Sequence, residues 1–246
     1  MLRRDAAIPV GRAAASILLL CRGGGFVITN ARARRFAGPV MLFSRRLLLV
    51  LPAAALAGAR GAASAEPRAA PVALIERFYE VLLAVMKEAK RLSFDQRYAR
   101  LAPAIAQTFD LGLMTRIAVG PGWARLAADQ RQRLTAAFSR YTISVYAGRF
   151  DDYGGEHFEV SPAATPNPNG VIVDSQLVKP NGETVNLNYL MRQDGVGPWK
   201  VIDVYLSGTV SELATRRSEF SAVLQRNGAD GLVQMIEQRS AALRAG

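Results

Sequence analysis

The chain has 246 residues, with 31 basic and 20 acidic side chains, and therefore carries a formal net charge of +11. Seven arginines and one aspartate lie in residues 1–40 and three more arginines in residues 41–65, so 21 basic and 19 acidic side chains remain from Glu66 onward. This near-neutral remainder excludes a strongly basic protein that binds nucleic acid through its overall charge.

Residues 41–65 have the pattern of an export signal. Arg45 and Arg46 come first, an apolar run from Leu47 to Ala59 follows, and Ala63-Ser64-Ala65 has the form of a signal-peptidase site. The apolar run is shorter than the ~20 residues that cross a bilayer as a helix. We therefore expect a signal peptide that is cleaved after Ala65, with the periplasm as the destination.

Residues 1–40 precede this signal and show no sustained apolar period of a strand or a helix. Because an export signal normally begins close to its basic segment, we expect Met41 to be the true initiator and residues 1–40 to be a spurious upstream extension. Residues 66–246 then form a single domain that is long enough to enclose one hydrophobic core.

Residues 66–246 offer few groups for metal or covalent chemistry. The one cysteine, Cys21, lies before the expected cleavage site, and the one histidine is His157, at the start of a predicted strand. This excludes a disulfide, the common zinc sites and a Cys–His nucleophilic pair. The sequence 66–246 also lacks a Gly-x-Ser-x-Gly elbow and a phosphate-binding glycine loop, and we expect no cofactor and no metal.

Helical spacing of apolar residues predicts a first helix from Val72 to Met86. Ser93 and Gln96 form a capping-box pattern that opens a second helix, which we expect Pro103 to kink or end. Asp110 is placed to cap a short third helix.

The segment Gly120-Pro121-Gly122 stops the third helix, and a longer fourth helix carries its apolar face from Leu134 to Val145. Two more helices close the chain, at 213–226 and 230–243, separated by Asn227-Gly228.

Between residues 158 and 206 the apolar residues alternate, which predicts strands. The turn at Pro180-Asn181-Gly182 joins two of them into a hairpin, and Trp199 to Leu206 forms the last. Helices before and after a run of strands predict an α+β fold, with helices packed on one face of a curved antiparallel sheet of about four strands. Such a fold can enclose an apolar cavity between its two layers.

Asp203 stands out because it lies inside the apolar strand Val201-Ile202-Asp203-Val204-Tyr205. A buried carboxylate needs a hydrogen-bond or cationic partner, and we expect a structural arginine. The alternative is a general base in a conical pocket, as in a small periplasmic isomerase, although no acid partner is evident.

The order of motifs resembles the MlaC family, also called toluene-tolerance auxiliary proteins, and its hopanoid-associated branch, HpnM. The similarity extends over residues 72–240. The block from Trp199 to Val204, followed by Gly208 and Ser211, carries most of it, and Leu190 departs from it, since the family usually has arginine there.

The resemblance implies a periplasmic carrier, not an enzyme, that holds acyl chains between its helices and its sheet. It implies a phospholipid or hopanoid ligand, shuttled between the outer membrane and the inner membrane. The implied partners are an MCE-domain ABC transporter complex in the inner membrane and an outer-membrane lipoprotein complex.

We expect lipid to contact the alternating face of the hairpin strand and the helices opposite it. The residues are Met114, Ile117, Phe138, Tyr141, Val145, Val185, Leu187, Tyr189 and Met191. An ordinary solid core would use the same residues, so an interaction module without a cavity remains an alternative, beside the enzyme that would use Asp203.

Overall fold

Four helices precede the sheet and one long helix follows it, within the residues 69–208 and 210–245 that the computed structural model describes. The expected signal peptide at 41–65 and extension at 1–40 lie outside these residues. The first helix, α1, spans Ala70–Glu88 and buries the apolar stripe that its spacing predicts, including Ile75 and Leu82. A single 3₁₀ turn, Ala89–Arg91, follows it.

The second helix, α2, spans Phe94–Thr108 and begins with the predicted capping box. Gln96 N donates to Ser93 Oγ at 3.2 Å and Ser93 N donates to Gln96 Oε1 at 2.8 Å. The sequence predicts that Pro103 kinks or ends this helix. The prediction that it ends the helix is wrong, because the helix continues to Thr108. Burial of Leu101 and Ile105 on either side of the proline offsets the missing hydrogen bond.

The third and fourth helices, α3 and α4, span Leu111–Val119 and Ala128–Arg149. Asp110 caps α3 as predicted, because its Oδ1 accepts a hydrogen bond from Leu113 N at 2.8 Å. Gly120 ends α3 with a φ of 70°, and a 3₁₀ segment, Gly120–Arg125, leads to α4.

The described strands form one antiparallel sheet with β5, Thr184–Gln193, at its centre. One side of β5 pairs with β6, which spans Trp199–Leu206 and is followed by the two-residue β7, Val210–Ser211. The other side pairs with β3 and β4, and these pair in turn with β2 and β1. Their bounds are β1 His157–Val160, β2 Thr165–Asn167, β3 Gly170–Val173 and β4 Ser175–Val178.

The predicted sheet of about four strands is confirmed. Two strand positions each consist of two shorter strands, β1 with β2 and β3 with β4. Val173 pairs with Tyr189 and Gln176 pairs with Asn186, so the register against β5 is the same on both sides of Asp174. Strands β3 and β4 therefore occupy a single strand position. In the β4–β5 turn, Gly182 N donates to Lys179 O, and Gly182 has a φ of 82°, which is typical of a turn followed by a glycine bulge.

A β-bulge bends the pairing of β5 with β6. Leu190 pairs with Asp203, whereas Met191 pairs with Val201, so Ile202 is the extra residue. The bulge brings Val201 to the end of α2, where its carbonyl oxygen accepts a hydrogen bond from Asp110 N at 2.9 Å. This contact ties the helical layer to the sheet.

The last helix, α5, spans Glu212–Ala245 and is interrupted at Gly228, where the backbone has a φ of 68°. The predicted division at Asn227-Gly228 is therefore confirmed. The second half of α5 lies along α4, and two ion pairs join them at 2.6 Å: Arg133 with Asp230 and Arg140 with Glu237. None of the helices in residues 69–208 and 210–245 has both the length and the apolar character needed to span a membrane.

The two helices α2 and α4 provide a matched test of helix capping. Ala127 has the same extended backbone as Ser93 (φ −68°, ψ 162° against φ −65°, ψ 164°), and Gln130 lies where Gln96 does, but alanine offers no oxygen for the cap. We expect Ala127→Ser to stabilise the protein and Ser93→Ala to destabilise it, each by about 1 kcal/mol. Urea unfolding measures both changes, and a destabilised Ala127→Ser protein would contradict this assignment.

Candidate functional site

An apolar cavity of about 90 Å³ lies between the helices α4 and α5 and the strands β5 and β6. Leu187 and Tyr189 of β5, with Val204 and Leu206 of β6, form its sheet wall. These four residues share one face because Leu187 pairs with Leu206 and Tyr189 pairs with Val204. The alternation of side chains along β5 and β6 thus forms the sheet side of the cavity, and the apolar face of α4 lies opposite it.

Six of the nine residues predicted to contact lipid line this cavity. They are Met114, Phe138, Tyr141, Val145, Leu187 and Tyr189. The other three lie elsewhere: Met191 is fully buried beyond the cavity, next to the β-bulge, and Val185 is half-buried at the start of β5. Ile117, one turn further along α3, lines a separate surface groove with Leu190 and Tyr205.

Several residues of the cavity wall lie outside the set predicted from the sequence. Val204 and Leu206 alternate on β6 and could have been found by pairing this strand with β5. Phe109 and Phe150 follow the last residues of α2 and α4, where helical periodicity no longer applies. Their place in the wall depends on how the chain leaves each helix.

Three buried tyrosines, Tyr79, Tyr146 and Tyr189, lie beside the cavity. The Tyr189 ring lies edge-on to the Tyr79 ring with 5.9 Å between ring centres, and Tyr79 Oη lies 2.6 Å from Ser175 Oγ. Ser175 Oγ in turn donates to Leu187 O. Burial raises the pKa of all three tyrosines, so they stay neutral and link the helices α1 and α4 to the strands β4 and β5.

The charged residues of the cavity wall come from the start of α5 and from the last residue of α4. Arg216 donates to Glu212 Oε2 at 3.1 Å and to Tyr141 Oη at 3.0 Å, and its guanidinium lies 4.9 Å from the centre of the Tyr141 ring. Each side chain of the Glu212–Arg216 pair is only 12% exposed. Arg149 and Thr142 of α4 line the same cavity.

The carboxylate of Glu212 is incompletely satisfied. Its Oε1 is buried and accepts no hydrogen bond from the described residues. Burial raises the pKa of Glu212, and the positive charges of Arg216 and Arg149 oppose this shift. Burying a carboxylate costs free energy of desolvation, and an oxygen without a hydrogen-bond donor leaves part of that cost uncompensated.

Asp203 is not among the residues that line this cavity; it lies on the opposite face of the sheet. Its carboxylate accepts hydrogen bonds from Ser211 Oγ at 2.5 Å, Val204 N at 2.8 Å and Leu213 N at 3.3 Å. Burial raises its pKa, and these donors and the charge of Arg217 oppose the shift. Among the described residues, the expected arginine ion pair is thus replaced by two donors at the start of α5 and one in β6 itself.

This geometry gives Asp203 a structural role at a helix N-terminus. Ser211 receives a hydrogen bond from Ala214 N at 2.9 Å, which makes it the cap of α5, and Asp203 holds that cap in place. A general base needs a substrate within hydrogen-bond reach, and Asp203 faces a different space from the apolar cavity. His157 is exposed at the start of β1 and pairs with Glu159 at 3.3 Å.

Comparison with known proteins adds to this description. A family model described as "MlaC protein" matches residues 76–238. The phospholipid-binding protein of Ralstonia solanacearum, whose structure was determined in complex with a phospholipid, is similar at 27% sequence identity and a TM-score of 0.62. The match covers 71% of this chain and 99% of that protein.

The raised pKa of Glu212 predicts how stability depends on pH. The folded protein holds this proton more tightly than the unfolded chain does, so wild-type stability falls as pH rises from the ordinary value of 4.5 through the raised one. Glutamine does not titrate. We therefore expect the Glu212→Gln variant to gain stability relative to wild type as pH rises through that range. Urea unfolding at a series of pH values measures the difference, and a difference that is constant with pH would contradict the assignment.

Proposed function

Because the family model matches residues 76–238, the chain belongs to the MlaC family, and we propose that it is a periplasmic carrier of phospholipid. The carrier takes lipid from one membrane and delivers it to the other, and it performs no covalent chemistry. The proposed partners are an outer-membrane lipoprotein complex and an inner-membrane ABC transporter with MCE domains. In this proposal, residues 41–65 are a signal peptide that directs the chain to the periplasm and is cleaved after Ala65.

The observation that carries this proposal is the apolar cavity between the two layers. Its walls are aliphatic and aromatic side chains from α4, α5, β5 and β6, with charges at one part only. This arrangement suits a ligand with an apolar body and one charged end. The similarity to a phospholipid-binding protein of Ralstonia solanacearum supports the same ligand class.

The size of the cavity requires movement during loading. About 90 Å³ is less than the ~150 Å³ that accommodates a benzene ring in an engineered protein cavity. Two acyl chains therefore enter only as wall side chains or whole layers move apart. The hydrogen bond between Tyr79 and Ser175 ties α1 to the sheet on one side, so we propose that separation occurs at the start of α5.

The energetics of transfer suit a shuttle. Burying an acyl chain gains about 0.8 kcal/mol per CH₂ relative to water, and a bilayer offers the same gain. Transfer between protein and membrane is therefore close to balanced. Docking to a partner needs to change the affinity only modestly to set the direction of transport.

Native mass spectrometry of the protein purified from its own periplasm tests the proposed function. We expect a chain that begins at Glu66 and carries one or more lipid adducts, whose release and identification distinguish a phospholipid from a hopanoid. A lipid-free protein that also takes up no lipid from phospholipid vesicles would exclude the carrier function.

Filling the cavity tests where the lipid binds. Val145 is half-buried in the α4 wall, and Val145→Phe places a larger ring in a space of only about 90 Å³. We expect a several-fold loss of bound phospholipid per protein, together with a cost in stability of about 1–3 kcal/mol. The matched control is Val81→Phe at an exposed position of α1, which should retain wild-type loading. Equal loading in the two variants would place the lipid elsewhere.

A further inference from the structure

We infer that a surface groove, formed by α3, the first half of α5 and the face of the sheet opposite the cavity, is a docking site for an acidic segment of a partner protein. The groove has a volume of about 500 Å³. It lies outside the apolar cavity, so this inference goes beyond the proposed function and does not depend on the lipid. The residues that define the groove are Leu113, Arg116, Ile117, Leu190, Ile202 and Arg217.

The floor of the groove is apolar and recessed. Leu190 of β5 and Ile202 of β6 form this floor, and each residue is only 4% exposed. Leu113 and Ile117 of α3 lie half-buried beside it. Single side chains of a polypeptide can reach such a floor, whereas the flat surface of a bilayer would contact only the rim. The shape therefore favours a protein segment that carries apolar side chains.

Two arginines on the rim of the groove are available to an anionic partner. Arg116 is exposed on α3 and has no hydrogen bond or ion pair within residues 69–208 and 210–245. Arg217 is exposed on α5, and its Nε donates to Ile117 O at 3.0 Å, which leaves both terminal nitrogens without a hydrogen bond among the described residues. Because a carboxylate pairs well with the parallel N–H groups of a guanidinium, this rim is complementary to aspartate and glutamate side chains.

The other charged residues of the groove leave the rim positive. Asp203 is buried, and its carboxylate accepts hydrogen bonds from donors at the start of α5. Arg192 also lines the groove and pairs with Asp194 at 2.8 Å. The charges of Arg116 and Arg217 therefore exceed that of Asp203, and the groove attracts an anion rather than a cation.

The N-terminal part of this chain is poorly suited to occupy the groove. Residues 1–65 carry ten arginines and one aspartate, so the basic rim repels them. An acidic partner segment gains from both parts of the groove, because its carboxylates pair with the rim while its apolar side chains are buried on the floor. Charge complementarity thus selects a segment of another protein.

The groove also borders the helix that lines the cavity. Arg217 lies on the groove, whereas its neighbour Arg216 lines the cavity. Asp203 lines the groove as well and is bonded to Ser211, the cap of the same helix. A partner segment docked in the groove therefore contacts the element whose position shapes the cavity.

Three synthetic peptides of about ten residues test the chemistry of the occupant. The first alternates glutamate with leucine, the second has lysine in place of glutamate, and the third has serine in place of leucine. Each is titrated into the isotope-labelled chain, and two-dimensional NMR spectra report which backbone amides shift. We expect the glutamate–leucine peptide to shift amides around Ile117, Leu190 and Ile202, and the other two to bind about tenfold more weakly or less.

The Arg116→Glu variant tests the rim, because no described contact of the fold depends on this side chain. We expect it to weaken binding of the glutamate–leucine peptide about tenfold or more, since an ion pair is replaced by repulsion. The matched control is Arg226→Glu, which makes the same change at an exposed position of α5 outside the groove and should bind as wild type does. Equal weakening in both variants would reflect overall charge and overturn the docking site.

The remaining outcomes identify the occupant. A glutamate–leucine peptide that shifts no amide of the groove, or shifts only amides around the apolar cavity, overturns the inference. Phosphatidylglycerol vesicles that shift the groove amides when the peptide does not would assign the groove to a membrane surface. Groove amides that shift with protein concentration alone would assign it to a second copy of this chain. Peptide binding by a protein that takes up no lipid from phospholipid vesicles contradicts the carrier function and leaves the docking site intact.

Discussion

The contact between Asp203 and the start of α5 is the constraint on which the cavity depends. Asp203 lies inside the last long strand, and its carboxylate holds Ser211 and the backbone amide of Leu213. The turn between them requires positive φ angles at Ser207 and Gly208. This contact fixes where α5 begins, and therefore where Glu212, Leu213 and Arg216 meet the cavity. It also gives a physical reason for the spacing of an aspartate in the strand, a glycine and a serine that marks the family resemblance.

Different polar contacts lie on the two sides of the cavity, the Tyr79–Ser175 hydrogen bond on one and the Glu212–Arg216 ion pair on the other. The Tyr79 hydroxyl is hydrogen-bonded to Ser175 Oγ, which donates to the carbonyl oxygen of Leu187, so these polar groups have partners. At the start of α5, Glu212 Oε1 is buried without a partner among the described residues. The polar groups on the two sides of this apolar space are therefore satisfied to different degrees.

Local patterns predicted most of the elements and part of the candidate site. Alternation placed Leu187 and Tyr189 on the cavity face, and helical spacing did the same for Phe138, Tyr141 and Val145. The bulge at Ile202 could not be predicted, because it depends on how β6 pairs with β5 rather than on either strand alone. The role of Asp203 was missed for the same reason, since its partners lie beyond a turn. The Glu212–Arg216 pair has the spacing of a surface helix pair, and only tertiary packing shows that it is buried.

The hydrogen bond between Tyr79 and Ser175 joins residues that are 96 positions apart, and Asp110 reaches across a similar span to Val201. The helical layer comes first in the chain and the sheet that it covers comes afterwards, so the core cannot close until most of the polypeptide is present. Folds dominated by such distant contacts form slowly, because the entropy of loop closure is lost before the contacts compensate for it. Late closure of the core therefore leaves the nascent polypeptide open until α5, which completes the cavity wall, has been synthesised.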